Sequence, residues 1–122
     1  MLNLKDKNII ITGASRGLGS EAAIAFSKSG ARLVLIARTK EDLESVRKIC
    51  KNQNRHLSVA ADLTNSSQLN NAINDARKFL KIIDCVLHVA GGGLGKRDPL
   101  IEWQDLLLLF KFNVVIIVRS NI

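Results

Sequence analysis

The sequence predicts an α/β protein with a doubly wound parallel sheet between two helical layers, incomplete after about four strands. Short apolar segments with strand character alternate strictly with segments whose apolar residues recur at helical spacing. The fourth strand segment, Ile83–Val89, is apolar almost throughout, which is typical of a strand covered by helices on both faces. Three successive β-α-β units of this kind indicate parallel strands joined by right-handed crossovers.

The elements follow from local patterns in chain order. Gly30 is a suitable C-terminal stop for the first helix. In the second helix, acidic residues stand at the start and basic residues at the end, which complements the helix dipole. The run Val114–Val118 is entirely β-branched, which favours a strand. The predicted strands are Asn8–Ile11, Arg32–Ile36, Leu57–Ala60 and Ile83–Val89, and the predicted helices are Leu18–Ser29, Lys40–Asn52 and Ser66–Leu80.

Length and composition indicate one domain, residues 1–122, and argue against a membrane protein, because 24% of the residues are charged. The net charge is +7, but lysine and arginine are spread along the sequence and few aromatic residues accompany them. We therefore expect a basic, solvated surface rather than a nucleic-acid partner. The apolar tract Leu106–Val118 is interrupted by Lys111 and Asn113 and is too short to cross a bilayer, so we expect no membrane partner.

The two cysteines, Cys50 and Cys85, form no metal-binding or redox motif. We therefore expect no metal site and a reducing compartment, the cytoplasm. The first residues contain no apolar leader, so we expect no signal peptide.

A glycine-rich segment lies between the first strand and the first helix. Its glycines allow a tight turn and a close approach of the backbone to a ligand, while the free N–H groups of the helix face an anion. A purely structural turn is the alternative, but the flanking strand and helix favour a site for the pyrophosphate of a dinucleotide. The residues predicted to bind it are Thr12, Gly13, Ser15, Arg16, Gly17, Leu18 and Gly19.

The spacing Thr-Gly-x3-Gly-x-Gly resembles that of the short-chain dehydrogenase/reductase family, which has a seven-stranded Rossmann-type sheet. The resemblance covers essentially the whole chain and identifies it with the amino-terminal, cofactor-binding half of such a protein. It implies that Asp62 and Leu63 contact the adenine. The segment His88–Gly91 matches the family's Asn-Asn-Ala-Gly, so that His88, Ala90 and Gly91 line the cofactor, and Asn113 matches a catalytic asparagine.

Each of these residues also has a structural interpretation. Asp62 precedes Thr64 and is a suitable turn residue. His88 departs from the family's asparagine and is suited to a buried structural role at a strand end. Asn113, taken alone, is a polar residue in an apolar segment, hydrogen-bonded to the backbone.

The end of the second strand bears on the choice of cofactor. Sites for NAD usually carry an acidic residue there to hold the ribose 2′-hydroxyl, whereas this strand ends in Ile36-Ala37-Arg38. The guanidinium of Arg38 suits a 2′-phosphate, and we expect Arg16, in the glycine-rich segment, to reach the same group. We therefore expect NADP(H) to be favoured over NAD(H), the alternative being that Arg38 is merely solvated at a helix start.

The sequence contains no tyrosine. In the family a Tyr transfers the proton, a Lys lowers its pKa and a Ser orients the substrate, and all three lie beyond the fourth strand. We expect that this chain alone does not catalyse carbonyl reduction. Two hypotheses follow. The first is that the chain is the cofactor-binding half of an NADP(H)-dependent carbonyl/alcohol oxidoreductase, which is similar to 3-oxoacyl-carrier-protein reductase and homo-oligomeric when complete. The second is that it is a non-catalytic nucleotide-binding or pseudo-enzyme fragment. On the first, strand four is expected to be an exposed apolar edge.

Overall fold

A computed structural model describes residues 3–90 and 114–119, with side chains up to residue 89. The strands are parallel and form one sheet in the order β3-β2-β1-β4-β5. The predicted doubly wound α/β class is confirmed. The strands are β1 (Asn8–Thr12), β2 (Arg32–Ala37), β3 (Leu57–Ala60), β4 (Cys85–Ala90) and β5 (Val114–Arg119), and the helices are α1 (Gly17–Lys28), α2 (Lys40–Ile49), α3 (Ser66–Leu80) and a single 3-10 turn (Gln53–Arg55).

The side chains of the central strands alternate between two cores, as the two-residue repeat of a strand requires. Ile9 and Ile11 of β1 point into the core formed with α1 and α2. Ile10 points into the core on the other face, formed with α3. The three residues are buried, so β1 is covered on both faces and the molecule has three layers.

The prediction that strand four is an exposed edge is wrong. The β-branched segment that favours a strand pairs along the whole of β4, from Cys85 opposite Val114 to Ala90 opposite Arg119. The sheet therefore has a fifth described strand, and pairing with it satisfies the hydrogen-bonding groups that β4 would otherwise expose.

The second helix ends earlier than predicted. Its regular hydrogen bonding stops at Ile49, because Cys50 is extended (ψ 145°) and Asn52 adopts the left-handed conformation (φ 57°). Asparagine tolerates this conformation better than most residues, which allows the chain to reverse toward β3.

His56 joins three segments at the start of the sheet. The Leu33 N–H donates to His56 Nδ1 (3.1 Å), so Nε2 carries the proton and donates to the Lys51 carbonyl oxygen (2.8 Å). Burial lowers the pKa of His56, and the positive charges of Arg55, Arg47 and Arg32 lower it further. The folded protein therefore holds this imidazole in its neutral form.

This arrangement predicts a loss of stability in mild acid. The unfolded chain takes up a proton near the ordinary pKa of 6.5, whereas folded His56 does so only at lower pH. The contribution of neutral His56 to the free energy of unfolding is complete above pH 6.5. It decreases as the pH falls toward the pKa of folded His56, because the unfolded state binds more protons in that range. Urea unfolding of the protein and of His56→Asn between about pH 5 and 8 measures the difference. If the free energy of unfolding changed equally with pH in the two proteins, His56 would not be the cause of the acid sensitivity.

Candidate functional site

The loop between β1 and α1 is folded tightly against its surroundings. Gly13 has φ +61°, and a Cβ there would lie 2.6 Å from the carbonyl oxygen of Val89. A Cβ on Gly19 would overlap the carbonyl oxygen of Gly13 and lie 2.7 Å from its carbonyl carbon. Because the opposing atoms belong to the backbone, a side chain at either position requires the loop or the end of β4 to move.

The first turn of α1 is open to an anion. Arg16, at the N-cap, makes no side-chain capping bond, and no acidic residue stands in the first turn of this described helix. The Ser20 hydroxyl donates to the carbonyl oxygen of Gly17 (2.8 Å). A Cβ on Gly17 would meet no atom within 4 Å, so there is space above the loop. Free N–H groups at a helix N-terminus beside such space fit the pyrophosphate of a dinucleotide.

Thr12 connects the loop to β4 beneath this space. Its hydroxyl oxygen accepts the Val89 N–H (3.2 Å) and is hydrogen-bonded to His88 Nδ1 (2.7 Å). Thr12 and His88 face each other across the β1–β4 pair, and both are buried. These bonds fix the ends of two neighbouring strands at the point where the loop leaves the sheet.

Removing the Thr12 hydroxyl should destabilise the protein. Thr12→Val leaves the Val89 N–H without its acceptor and removes one hydrogen bond of the buried His88. We expect a loss of about 2–3 kcal/mol in the free energy of unfolding. Thr12→Ser keeps the hydroxyl and should lose about 1 kcal/mol, the value of one buried methyl. Urea unfolding of both variants separates the two effects. Equal losses would show that the methyl, rather than the hydrogen bonds, matters at this position.

A second part of the site lies at the carboxyl ends of β2 and β3. The guanidinium of Arg38 lies 3.9 Å from Asp62 Oδ1, and 76% of its side-chain surface is exposed. The same carboxylate oxygen accepts the Thr64 hydroxyl (2.6 Å) and the Thr64 N–H (3.0 Å). These two bonds and the charge of Arg38 hold the pKa of Asp62 below its usual range, so the carboxylate is ionised at neutral pH.

The comparisons with known proteins agree with this geometry. The family model for the short chain dehydrogenases matches residues 7–119. The chain belongs to the short-chain dehydrogenase/reductase family. An uncharacterized oxidoreductase of Mycobacterium tuberculosis is 32% identical over 115 residues, which are 93% of this chain and 44% of that protein.

Solved structures of the short-chain dehydrogenase/reductase family share the fold. A 3-ketoacyl-(acyl-carrier-protein) reductase of Brucella melitensis complexed with NADH matches with a TM-score of 0.68 and 33% identity, over 74% of this chain and 36% of that one. A Caenorhabditis elegans member of unknown function, solved with cofactor, matches with a TM-score of 0.70 and 33% identity, over 75% and 35%. This chain thus spans less than half the length of these relatives.

The structure brings most of the predicted cofactor residues to the carboxyl edge of the sheet, where open α/β sheets bind ligands. Ser15 is half-buried within the loop, while Arg16 and Leu18 are exposed. Ala90 ends β4, and Leu63 packs partly against the core on the α3 side. Their contacts with a cofactor stay predictions. Gly91 and Asn113 lie outside the described residues.

Thr64 makes the turn interpretation of Asp62 specific. Its hydroxyl and N–H fix the carboxylate of Asp62, and the order Asp-x-Thr at a turn is the signal that predicts such bonds. This local pairing is the turn role that the sequence left open for Asp62. It leaves room for an adenine contact, because the side chain is still 40% exposed.

One hollow among the described residues lies away from this site. It has a volume of about 660 Å³ and lies along the outer edge of β3, with Lys40, Asp75 and Phe79 among its lining residues. It contains none of the residues predicted to bind the cofactor, so its size does not locate the chemistry.

Proposed function

We propose that this chain forms the cofactor-binding portion of an NADP(H)-dependent carbonyl/alcohol oxidoreductase. The observation that carries the proposal is the uncapped first turn of α1 beside the glycine loop, with the exposed guanidinium of Arg38 following β2 at the same edge of the sheet. An acidic residue at the end of β2, which would repel a 2′-phosphate, is absent from this described strand.

In this proposal each residue has a defined task. Gly13, Gly17 and Gly19 allow the backbone to approach the pyrophosphate, and the N–H groups of α1 donate to it. Arg38 and Arg16 bind the 2′-phosphate. Asp62, ionised at neutral pH, accepts a hydrogen bond from the adenine amino group. When bound, the nicotinamide supplies or accepts a hydride.

Further parts of the proposal come from the family. His88, Ala90 and Gly91 border the cofactor, and Asn113 belongs to the catalytic group. The substrate is a small carbonyl compound or alcohol. The similarity to the Brucella 3-ketoacyl-(acyl-carrier-protein) reductase supports a substrate of the 3-oxoacyl class. The complete protein is a homo-oligomer and acts in the cytoplasm, in keeping with the free thiols of Cys50 and Cys85.

A second candidate is a nucleotide-binding protein without redox activity. The observation that favours it is the absence of tyrosine from the sequence, since the family's proton transfer depends on that residue. On this view the glycine loop and Arg38 keep their binding roles, and no hydride is transferred.

Titration calorimetry of the full chain tests the proposed binding. The ligands are NADPH and NADH, with 2′,5′-ADP and 5′-AMP as fragments that differ in the 2′-phosphate. We expect NADPH to bind at least about tenfold more tightly than NADH, and 2′,5′-ADP more tightly than 5′-AMP. Equal or tighter binding of NADH would refute the NADP(H) preference. If none of the four ligands binds, both candidate functions fail.

A further inference from the structure

The edge of the sheet opposite the glycine loop carries a concentration of positive charge. In a parallel sheet, the segments that precede the strands and the ends of the helices lie at the same edge. We call the surface formed there by six exposed lysines the basic edge. Its residues are Lys5, Lys7, Lys28, Lys48, Lys51 and Lys81.

The carboxylates beside the basic edge are already engaged. Asp6 lies 3.3 Å from the guanidinium of Arg55. Asp84 Oδ2 accepts the N–H of Asn8 (2.8 Å). Both carboxylates keep their negative charge, but Asp6 and Asp84 together do not balance six lysines, so the basic edge stays positive.

Helix dipoles account for only part of this charge. Lys28 lies in the last turn of α1 and Lys48 in the last turn of α2, where a positive charge stabilises the helix. The other four lysines lie outside the helices, and they are Lys5, Lys7, Lys51 and Lys81. Lys81 is the C-cap residue of α3 and Lys51 follows the C-cap of α2, so only Lys5 and Lys7, which precede β1, stand apart from a helix end in the sequence.

The basic edge also holds two exposed aliphatic side chains. Ile49 at the end of α2 is 65% exposed, and Ile82 in the turn before β4 is 68% exposed. Leu18, the other large apolar side chain exposed among the described residues, lies at the opposite edge. Lysines interspersed with exposed aliphatic groups suit the interface of an anionic bilayer, where ammonium groups meet phosphate and apolar groups enter the acyl boundary.

Other occupants fit this surface less well. A second copy of the chain would bring the same positive charge to the contact. Binding of nucleic acid is favoured by exposed aromatic side chains, on which bases stack. Phe26 and Phe79, near this edge, are half-buried. The guanidinium of Arg32 also covers the ring of Phe79, at 4.2 Å from the ring centroid.

We propose that the basic edge docks this protein on a membrane surface that contains anionic phospholipids. The lysine ammonium groups bind lipid phosphates, and Ile49 and Ile82 enter the interface. The glycine loop, at the opposite edge of the sheet, remains open to water. The docking departs from the expectation of no membrane partner, which rested on the lack of a segment that crosses a bilayer. It is peripheral, and no described helix is long and apolar enough to cross a bilayer.

Sedimentation with lipid vesicles tests the proposal on the full chain. We expect binding to vesicles of phosphatidylcholine with phosphatidylglycerol and little binding to phosphatidylcholine alone. The double variant K51Q/K81Q should bind about 25-fold more weakly, at about fivefold for each lysine. R16Q/R38Q changes the net charge equally at the opposite edge and should remain within about twofold of the unchanged protein.

A second matched pair tests the apolar contribution. Ile82→Ser should weaken vesicle binding several-fold, whereas Leu18→Ser should not. Thermal unfolding of every variant shows that the fold is kept. The proposal is overturned if the protein does not bind anionic vesicles at physiological salt, or if both double variants lose vesicle binding equally. Tighter binding to a DNA duplex than to the vesicles, lost in K51Q/K81Q, would make the basic edge a nucleic-acid surface instead.

Discussion

Gly19→Ala should lower the free energy of unfolding by about 3 kcal/mol and abolish nucleotide binding. The added methyl would overlap the carbonyl oxygen of Gly13 and lie 3.1 Å from the Cα of Ala14. Because these are backbone atoms of the loop itself, no side-chain rotation relieves the contact. The loop must move away from the first turn of α1, and the proposed phosphate site is lost with it.

Gly17→Ala is the matched control, two residues away in the same first turn of α1. Gly17 has φ +55°, so alanine is strained there at a cost of about 1–2 kcal/mol, but its methyl meets no atom within 4 Å. This methyl would project into the space proposed for the pyrophosphate. We therefore expect Gly17→Ala to lose binding with a smaller loss of stability than Gly19→Ala.

Urea unfolding and NADPH titration of both variants test this contrast. The expected pattern is a larger loss of stability for Gly19→Ala and loss of NADPH binding in both. If Gly19→Ala were as stable as the unchanged protein, the described packing of the loop would be incorrect. If Gly17→Ala bound NADPH normally, the space above Gly17 would not be the cofactor site.

Local pattern was sufficient to predict most of the secondary structure. The predicted bounds of β3 and α3, Leu57–Ala60 and Ser66–Leu80, are those observed. Both elements have clear local signals, and Asn65 caps α3 by accepting the Gln68 N–H on its side chain. The end of α2 was missed because it depends on the extended backbone of Cys50 and the left-handed conformation of Asn52, which the apolar repeat does not reveal.

Relations between distant residues could not be predicted in the same way. The bond between Thr12 and His88 joins residues 76 apart and depends on the register of β1 with β4. The strand character of Val114–Val118 was evident, but not its partner. The lysines of the basic edge are scattered along the sequence and come together only because the strands are parallel.

Replacement of Arg38 should change the choice of cofactor more than any other single substitution. Arg38→Gln removes the proposed charge-assisted bonds to the 2′-phosphate, and NADPH should bind about 10- to 100-fold more weakly. NADH, which lacks this phosphate, should be affected by about twofold at most, since the other contact of the guanidinium, with Asp62, is a weak exposed pair. Arg38→Asp adds a carboxylate suited to the ribose 2′-hydroxyl, so NADH should then bind more tightly than NADPH.

The contact between Arg38 and Asp62 does not prevent this role. The two groups are 3.9 Å apart and both are exposed, and such surface pairs contribute at most about 1 kcal/mol. Thr64 holds the Asp62 carboxylate independently through two hydrogen bonds. Arg38 can therefore turn to a phosphate without releasing Asp62.

Lys40→Gln provides the control for net charge. Lys40 lies two residues further along, and its ammonium already donates to the carbonyl oxygen of Ser58 (2.6 Å). If only the general field of the edge attracted the cofactor, Lys40→Gln and Arg38→Gln would weaken NADPH binding equally, and Arg38 would have no particular role. If Arg38→Gln alone abolishes the difference between 2′,5′-ADP and 5′-AMP, the guanidinium itself recognises the 2′-phosphate. The assignment of NADP(H) then depends on a direct contact, because the net charge of the two variants is the same.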